Sequence, residues 1–242
     1  MGLIEIHNLR LSFDGVPVLR GVDLTVENGT TLVILGRSGA GKSVILKSII
    51  GLITPDEGSI RIDGKEIVGM ESTELYAMRR RMGYLFQGSA LYDSMSVRDN
   101  LEFSLRHLGL QDENTMDERA ASHLRLVGLE DALDKMPSQL SGGMRKRIGL
   151  ARALVTRPEI MLYDEPTTGL DPLTGRDISH LIQNLEEQHE MTSIAVTHDI
   201  ACARIIADRV AILNNGVICF EGTLDALQNS TDDFVKRFIA AA

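Results

Sequence analysis

The residues Gly36-Arg37-Ser38-Gly39-Ala40-Gly41-Lys42-Ser43 set three glycines ahead of a lysine and a hydroxyl, an order suited to holding phosphate. The glycines let successive backbone N–H groups turn inward toward phosphate oxygens, and a helix starting at Lys42 adds the positive end of its dipole. The Lys42 ammonium reaches the β- and γ-phosphates, and the Ser43 hydroxyl is left for Mg²⁺. A second candidate lies at Asp164-Glu165, two carboxylates closing the apolar run Ile160–Tyr163. A strand sends consecutive side chains to opposite faces, so the two acids cannot share one task. Asp164 is placed to anchor Mg²⁺, and Glu165 to orient or deprotonate the attacking water. Without the phosphate loop, the same pair before Pro166 would read as a turn cap. His198 closes another apolar run just before Asp199, where a histidine serves as a hydrogen-bonding sensor of the γ-phosphate. Gln87 ends a strand expected over Met82 to Phe86, and its amide holds water or Mg²⁺ without carrying charge. The catalytic set is therefore Lys42, Gln87, Glu165 and His198, and the metal set Ser43, Gln87 and Asp164.

All four positions follow apolar runs, which is where ligands bind when strands run parallel and open at their carboxyl ends. The elements needed for that sheet are visible. Ile4 to Phe13 and Val18 to Val26 alternate as strands, and Thr31 to Leu35 is a solid apolar strand before the phosphate loop. A helix is expected from Lys42 to Leu52, then a small hairpin around Asp63-Gly64. From Val97 to Leu154 apolar residues recur at three and four positions, as in Leu101, Leu105 and Leu108, which predicts a helical insert. Strand-like runs at Ile160–Tyr163, Thr192–Val196, Arg209–Leu213 and Val217–Phe220 then alternate with helices near Leu173–Gln188 and Ile200–Ala207. That alternation predicts a largely parallel sheet covered on both faces. Thr231-Asp-Asp can start a last helix whose stripe of Phe234, Val235, Phe238 and Ile239 is expected to pack on its own domain.

With 242 residues, 43% of them hydrophobic, the chain has the bulk of one globular domain. A net charge of −9 gives no basic footprint for nucleic acid, which is not an expected partner. No apolar run is long enough to span a bilayer and the start resembles no leader peptide, so a cytosolic location is expected. Cys202 and Cys219 are too far apart for a redox pair and are expected to be buried, reduced thiols.

One motif has no use in a single phosphate site. Leu140-Ser141-Gly142-Gly143-Met144 is a second glycine-rich helix start, with Ser141 as N-cap, and it too offers N–H groups and a dipole to an anion. This stretch resembles the signature motif of ATP-binding cassette proteins, and the other motifs agree with that family in order and spacing across nearly the whole chain. The resemblance implies an α/β fold of the P-loop NTPase type, with a mostly parallel core sheet, an N-terminal antiparallel β subdomain and an α-helical subdomain insert. It divides residues 1–242, a single ATPase domain, into a nucleotide-binding core (1–87 and 157–225), a helical signature subdomain (88–156) and a C-terminal tail (226–242). It implies ATP and Mg²⁺ as cofactors and a nucleotide-binding set of Phe13, Gly36, Ser38, Gly39, Gly41, Lys42, Ser43, Val44, Ser141, Gly142, Gly143 and Asp171. In this set Phe13 stacks on adenine, although a core position suits it equally well, and Asp171 belongs to the dimer-contact loop Gly169-Leu170-Asp171.

The same resemblance implies a head-to-tail homodimer in which the Ser141 helix covers the partner's ATP. It also implies an integral membrane permease docking on residues 88–100, where Ala90, Leu91, Tyr92, Met95 and Val97 read as a partner surface or, alternatively, as packing for the helical insert. Val44 after Lys42-Ser43, Phe86-Gln-Gly-Ser-Ala-Leu-Tyr92 and Ser141-Gly-Gly-Met-Arg-Lys-Arg147 resemble more narrowly the ATPase subunit of Mla-type, MCE-associated phospholipid transporters. That likeness implies an MCE-domain protein and a small accessory subunit in the complex, and a peripheral site on the cytoplasmic face of the inner membrane. Cassettes for amino acids, metals or drugs share the broader motifs. A soluble cassette acting on DNA or ribosomes is expected to carry coiled-coil or zinc insertions, and a metabolic kinase has no purpose for Ser141-Gly142-Gly143.

Overall fold

A computed structural model describes residues 3–240. Alternating side chains make β1 (Ile4–Phe13) and β2 (Val16–Val26), the second beginning two residues before the predicted start. They pair antiparallel and are joined by β4 (Glu57–Ile62) and β5 (Lys65–Glu66) in the order β2-β1-β4-β5. Asp63 and Gly64 both take positive φ, as the two-residue hairpin turn between β4 and β5 requires.

The second sheet has the order β10-β9-β3-β8-β7-β6, built from β3 (Thr31–Leu35), β6 (Met82–Leu85), β7 (Ile160–Asp164), β8 (Thr192–Thr197), β9 (Arg209–Asn214) and β10 (Val217–Gly222). From β9 to β6 the strands run parallel, and β3, β6, β7 and β8 are buried throughout, as strands covered on both faces must be. Only β10 reverses, because the two-residue turn Asn215-Gly216 can join only antiparallel strands.

Helix α1 (Lys42–Ile49) starts where expected but stops short of Leu52. Gly51 takes φ 69°, the Leu52 N–H bonds back to the Lys47 carbonyl at 2.8 Å, and the Gly51 N–H to Ser48 at 3.0 Å. This pair of bonds closes the helix and leaves Leu52 exposed. Helix α2 (Ser72–Arg79) was not expected, since it buries only Met78 and so shows no apolar stripe. The insert consists of α3 (Val97–His107), α4 (Glu113–Leu126) and α5 (Gly142–Leu154), and these share an apolar core of their own around Leu101, Leu124 and Ile148.

Helices α6 (Pro172–His189), α7 (Ile200–Ile206), α8 (Leu224–Gln228) and α9 (Asp233–Ala240) complete the chain. Asp232 caps α9 through the N–H groups of Phe234 and Val235. Val235 is fully buried, and Phe234, Phe238 and Ile239 pack on the same core as α6 and α7, so the terminal stripe rests on its own chain as expected. Both thiols are free, but only Cys202 is buried; Cys219, on the edge strand β10, is exposed, against expectation. Among the described residues no helix is long and apolar enough to cross a membrane.

Candidate functional site

Strand order decides which predicted residues meet. β8 lies between β3 and β7, so the loops leaving these three carboxyl ends converge. Leaving β3, the chain turns through Gly36–Gly41. Gly41 has φ 101°, and a Cβ there would stand 2.9 Å from the Val18 side chain, so no larger residue fits the entry to α1. Val44 packs in the first turn of α1 against the core. Ser38 and Gly39 stay exposed at the loop's tip.

Lys42 is buried, with its ammonium donating to the carbonyls of Gly36 at 2.8 Å and Arg37 at 3.2 Å. It also lies 3.2 Å from Glu165 Oε1. The Ser43 hydroxyl donates to Asp164 Oδ1 at 2.6 Å, and the Tyr84 hydroxyl, from β6, donates to Asp164 Oδ2 at 3.2 Å. Burial, together with the Asp164 charge, raises the Tyr84 hydroxyl far above its ordinary range, so it stays a donor. Tyr84 reads in the sequence as a core residue of an apolar strand, and nothing there signals its partner.

Glu165 has φ 50°, outside the strand conformation, which turns its side chain back over the sheet end. Oε2 accepts from Thr168 at 2.9 Å and more weakly from Thr197 at 3.4 Å, and it sits 2.9 Å from His198 Nδ1. Burial pushes this carboxyl up, but Lys42, Thr168 and His198 together outweigh burial and hold it below the ordinary glutamate value. It is therefore an ionised acceptor at neutral pH. Thr168 and Thr197 were not singled out from sequence, because a threonine beside a strand end carries no distinctive pattern.

Lys146, on α5, is a further residue that sequence reasoning missed. Its ammonium donates to the backbone carbonyls of Gln87 at 2.6 Å and Glu165 at 2.9 Å, and burial pulls it down to about 8 despite the nearby Asp164 and Glu165 charges. In the sequence it sits between two arginines and reads as one more solvated charge.

The remaining predicted residues stand apart. Gln87 is exposed, and among the described residues its side chain makes no hydrogen bond. Phe13 is 46% exposed at the end of β1, which excludes the core alternative. Ser141 caps α5 by accepting from the Met144 N–H at 3.2 Å, and Gly142 and Gly143 lie against Leu170 and Thr174, with no hydrogen bond to Gly36–Ser43 among the described residues. Asp171 caps α6: Oδ1 accepts from the Leu173 and Thr174 N–H groups and Oδ2 from the Thr174 hydroxyl. Within 88–100 the expected partner surface shrinks. Val97 is fully buried and Leu91 packs on the insert's core, because both face α3–α5, while Tyr92 remains 45% exposed.

The donor set fits Mg²⁺ and a triphosphate. A hydroxyl and a carboxylate within 2.6 Å of each other are hard oxygen donors, and Mg²⁺ is usually held by few protein oxygens alongside phosphates and water. That mode needs no dedicated cluster, and no group of three or more His, Cys, Asp or Glu poised for a metal occurs among the described residues.

Comparison with known proteins agrees with this geometry. A family model described as ABC transporter matches residues 19–168, which include the phosphate loop, the Ser141 helix start and Asp164-Glu165. The probable ribonucleotide transport ATP-binding protein mkl of Mycobacterium bovis is 42% identical over 98% of this chain, which spans 66%, about two-thirds, of that relative's length. The intermembrane phospholipid transport system ATP-binding protein MlaF of Haemophilus influenzae is 39% identical, over 98% of this chain and 90% of its own. A dimeric structure of the ATP-binding cassette MJ0796 in a post-hydrolysis state, bound to ADP and Pi, is 32% identical with a TM-score of 0.84, covering 91% of this chain and 98% of that one. Shared motifs, a shared fold and a family match over more than half of its length lead to one conclusion: this chain belongs to the ABC transporter family.

Proposed function

We propose that this chain is the ATP-binding and ATP-hydrolysing subunit of a membrane transporter that moves phospholipid between the inner and outer membranes. The observation that carries the enzymatic part is the direct contact of Lys42, Ser43, Asp164, Glu165 and His198 behind a glycine-rich helix start. Backbone N–H groups of Gly36–Ser43 bind the phosphates, with Lys42 supplying charge to the β- and γ-oxygens. Ser43 and Asp164 hold Mg²⁺, which when bound offsets phosphate charge. Glu165 accepts the proton of the attacking water, and His198 Nδ1 keeps its carboxylate aimed. Gln87 and His198 respond to the γ-phosphate. The helix start at Ser141 serves a second copy's nucleotide, which makes a head-to-tail homodimer the working unit.

The phospholipid cargo is supported by the likeness to MlaF and by the motif details at Val44, Phe86–Tyr92 and Ser141–Arg147. A permease at residues 88–100, an MCE-domain protein and a small accessory subunit go with that cargo, on the cytoplasmic face of the inner membrane. The relative named for ribonucleotide transport supports a different cargo on the same ATPase. The deciding experiment is mass spectrometry of the complex extracted in detergent. A multispanning permease with bound phospholipid is the expected result. A permease carrying another solute would reject the cargo, and recovery without any membrane protein would reject transport.

A further inference from the structure

We infer that Lys146 is a positioning residue that ties the Gln87 loop and the backbone of Glu165 to helix α5, an inference resting on the proposed role of Glu165 as base. Lys146 is 5% exposed and forms no ion pair with a carboxylate among the described residues; its two hydrogen bonds go to the carbonyls of Gln87 and Glu165. A buried ammonium held by carbonyls alone meets a desolvation cost that a surface lysine escapes, so an apolar side chain would be the simpler way to fill this space. The two acceptors lie just beyond the ends of neighbouring strands β6 and β7; Glu165 still donates its N–H to the Val196 carbonyl of β8 at 2.9 Å, and it is its carbonyl that turns to Lys146. Glu165 sits at φ 50°, a left-handed conformation in which a side chain crowds its own backbone. Among the described residues its carbonyl receives, besides Lys146, only a long bond from the Thr168 N–H at 3.3 Å.

Helix α5 meets the Gln87 loop at three points on one face, spaced by three residues. Lys146 holds Gln87. Gly149 lets Ser89 approach so closely that a Cβ would stand 3.0 Å from the Ser89 side chain. Arg152 donates to the carbonyls of Ser89 at 3.0 Å and Ala90 at 2.6 Å, fixing two consecutive residues of positive φ. Of these three residues, Lys146 alone also reaches Glu165. A shift of α5 is thus transmitted to the Gln87 loop along its whole face, and to the base through one ammonium.

The test is a double-mutant cycle in the full chain, measuring single-turnover ATP hydrolysis, ATP affinity and melting temperature. A misplacement of about 1 Å costs on the order of 100-fold, so Lys146→Met should slow hydrolysis by roughly 10- to 100-fold with ATP affinity nearly unchanged. Lys146→Gln keeps one amide donor, should recover part of the rate, and takes the place of Lys146→Met in the cycle if that variant does not fold. In a Glu165→Gln background the Lys146 substitution should cost less than about threefold, because the group it positions is gone. Equal losses in both backgrounds, or a loss confined to ATP affinity, would overturn the positioning role and leave Glu165 as base. Near-normal hydrolysis by Glu165→Gln alone would remove the base, and this inference with it.

Discussion

Glu165 is held by four groups from three segments of the chain: Lys42 on the phosphate loop, Thr168 after β7, and Thr197 and His198 at the end of β8. Because these contacts keep it ionised, it meets the first requirement of a base, and its amide analogue preserves shape while losing proton affinity. General bases contribute about 10²- to 10⁴-fold, so Glu165→Gln should lose that much turnover while still binding ATP, measured by phosphate release and by equilibrium nucleotide binding. Near-normal release would assign the proton to another group. The grouping of the candidate site was legible because its motifs are local: eight consecutive residues make the glycine-rich turn into α1, and two make the acidic strand end. Lys146 and Tyr84 were not, because the partners of Lys146 lie 59 and 19 residues away, that of Tyr84 lies 80 away, and neither residue type is unusual in its own segment. Asp171 shows the converse, a motif residue found in sequence whose carboxylate oxygens serve as a helix cap.

Among the elements, the parallel strands were readable from buried apolar runs, whereas α2 and the reversal at β10 depend on contacts and turn geometry that periodicity does not carry. The same sheet has a cost at its other end. Glu186, on α6, is buried beside Thr31, which donates to it at 2.9 Å, with Tyr163, Ser193 and Asp208 nearby. Burial raises its carboxyl to about 7, only partly offset by hydroxyl contacts. A raised acid is neutral in the fold while the unfolded chain ionises, so stability is fully present below about 4.5 and declines as pH rises toward 7. The difference corresponds to roughly 3 kcal/mol. Glu186→Gln should therefore flatten the loss of melting temperature between those pH values, as thermal unfolding at a series of pH values would show; an unaltered slope would place the proton elsewhere. The loop after Gln87 is the other informative element. Leu91 and Val97 are committed to the insert's core, which leaves Tyr92, set edge-on to Phe103 at 4.9 Å, as its large exposed apolar group. Tyr92→Asp should cut copurification of the permease while ATP binding by the isolated chain persists. Full complex yield would move the docking surface off this loop.

At the scale of the whole molecule, the phosphate loop faces an open groove of about 1650 Å³ that runs past Ser38, Gly169, Asp171 and His198 to Phe234 and Arg237 on α9. Pockets for small ligands usually enclose about 300–1,000 Å³, and this groove is larger and open to solvent. The Ser141 helix start, meanwhile, packs beside Leu170 and Thr174 with no bond to its own phosphate loop among the described residues. Within one chain the phosphate loop and the capped, cation-rich helix start thus make no hydrogen bond to each other among the described residues. Two copies related by a twofold axis can bring each to the other copy's counterpart, since an isologous interface repeats every contact. Dimerisation should then depend on nucleotide and last longest when hydrolysis is blocked. Glu165→Gln with Mg·ATP should sediment as a dimer, the same variant without nucleotide as a monomer, and addition of Ser141→Arg, which puts a long side chain in front of the α5 helix start, should restore the monomer even with ATP present. Sedimentation velocity distinguishes these states directly. A nucleotide-loaded Glu165→Gln chain that stayed monomeric would mean that the nucleotide is completed by something other than a second cassette.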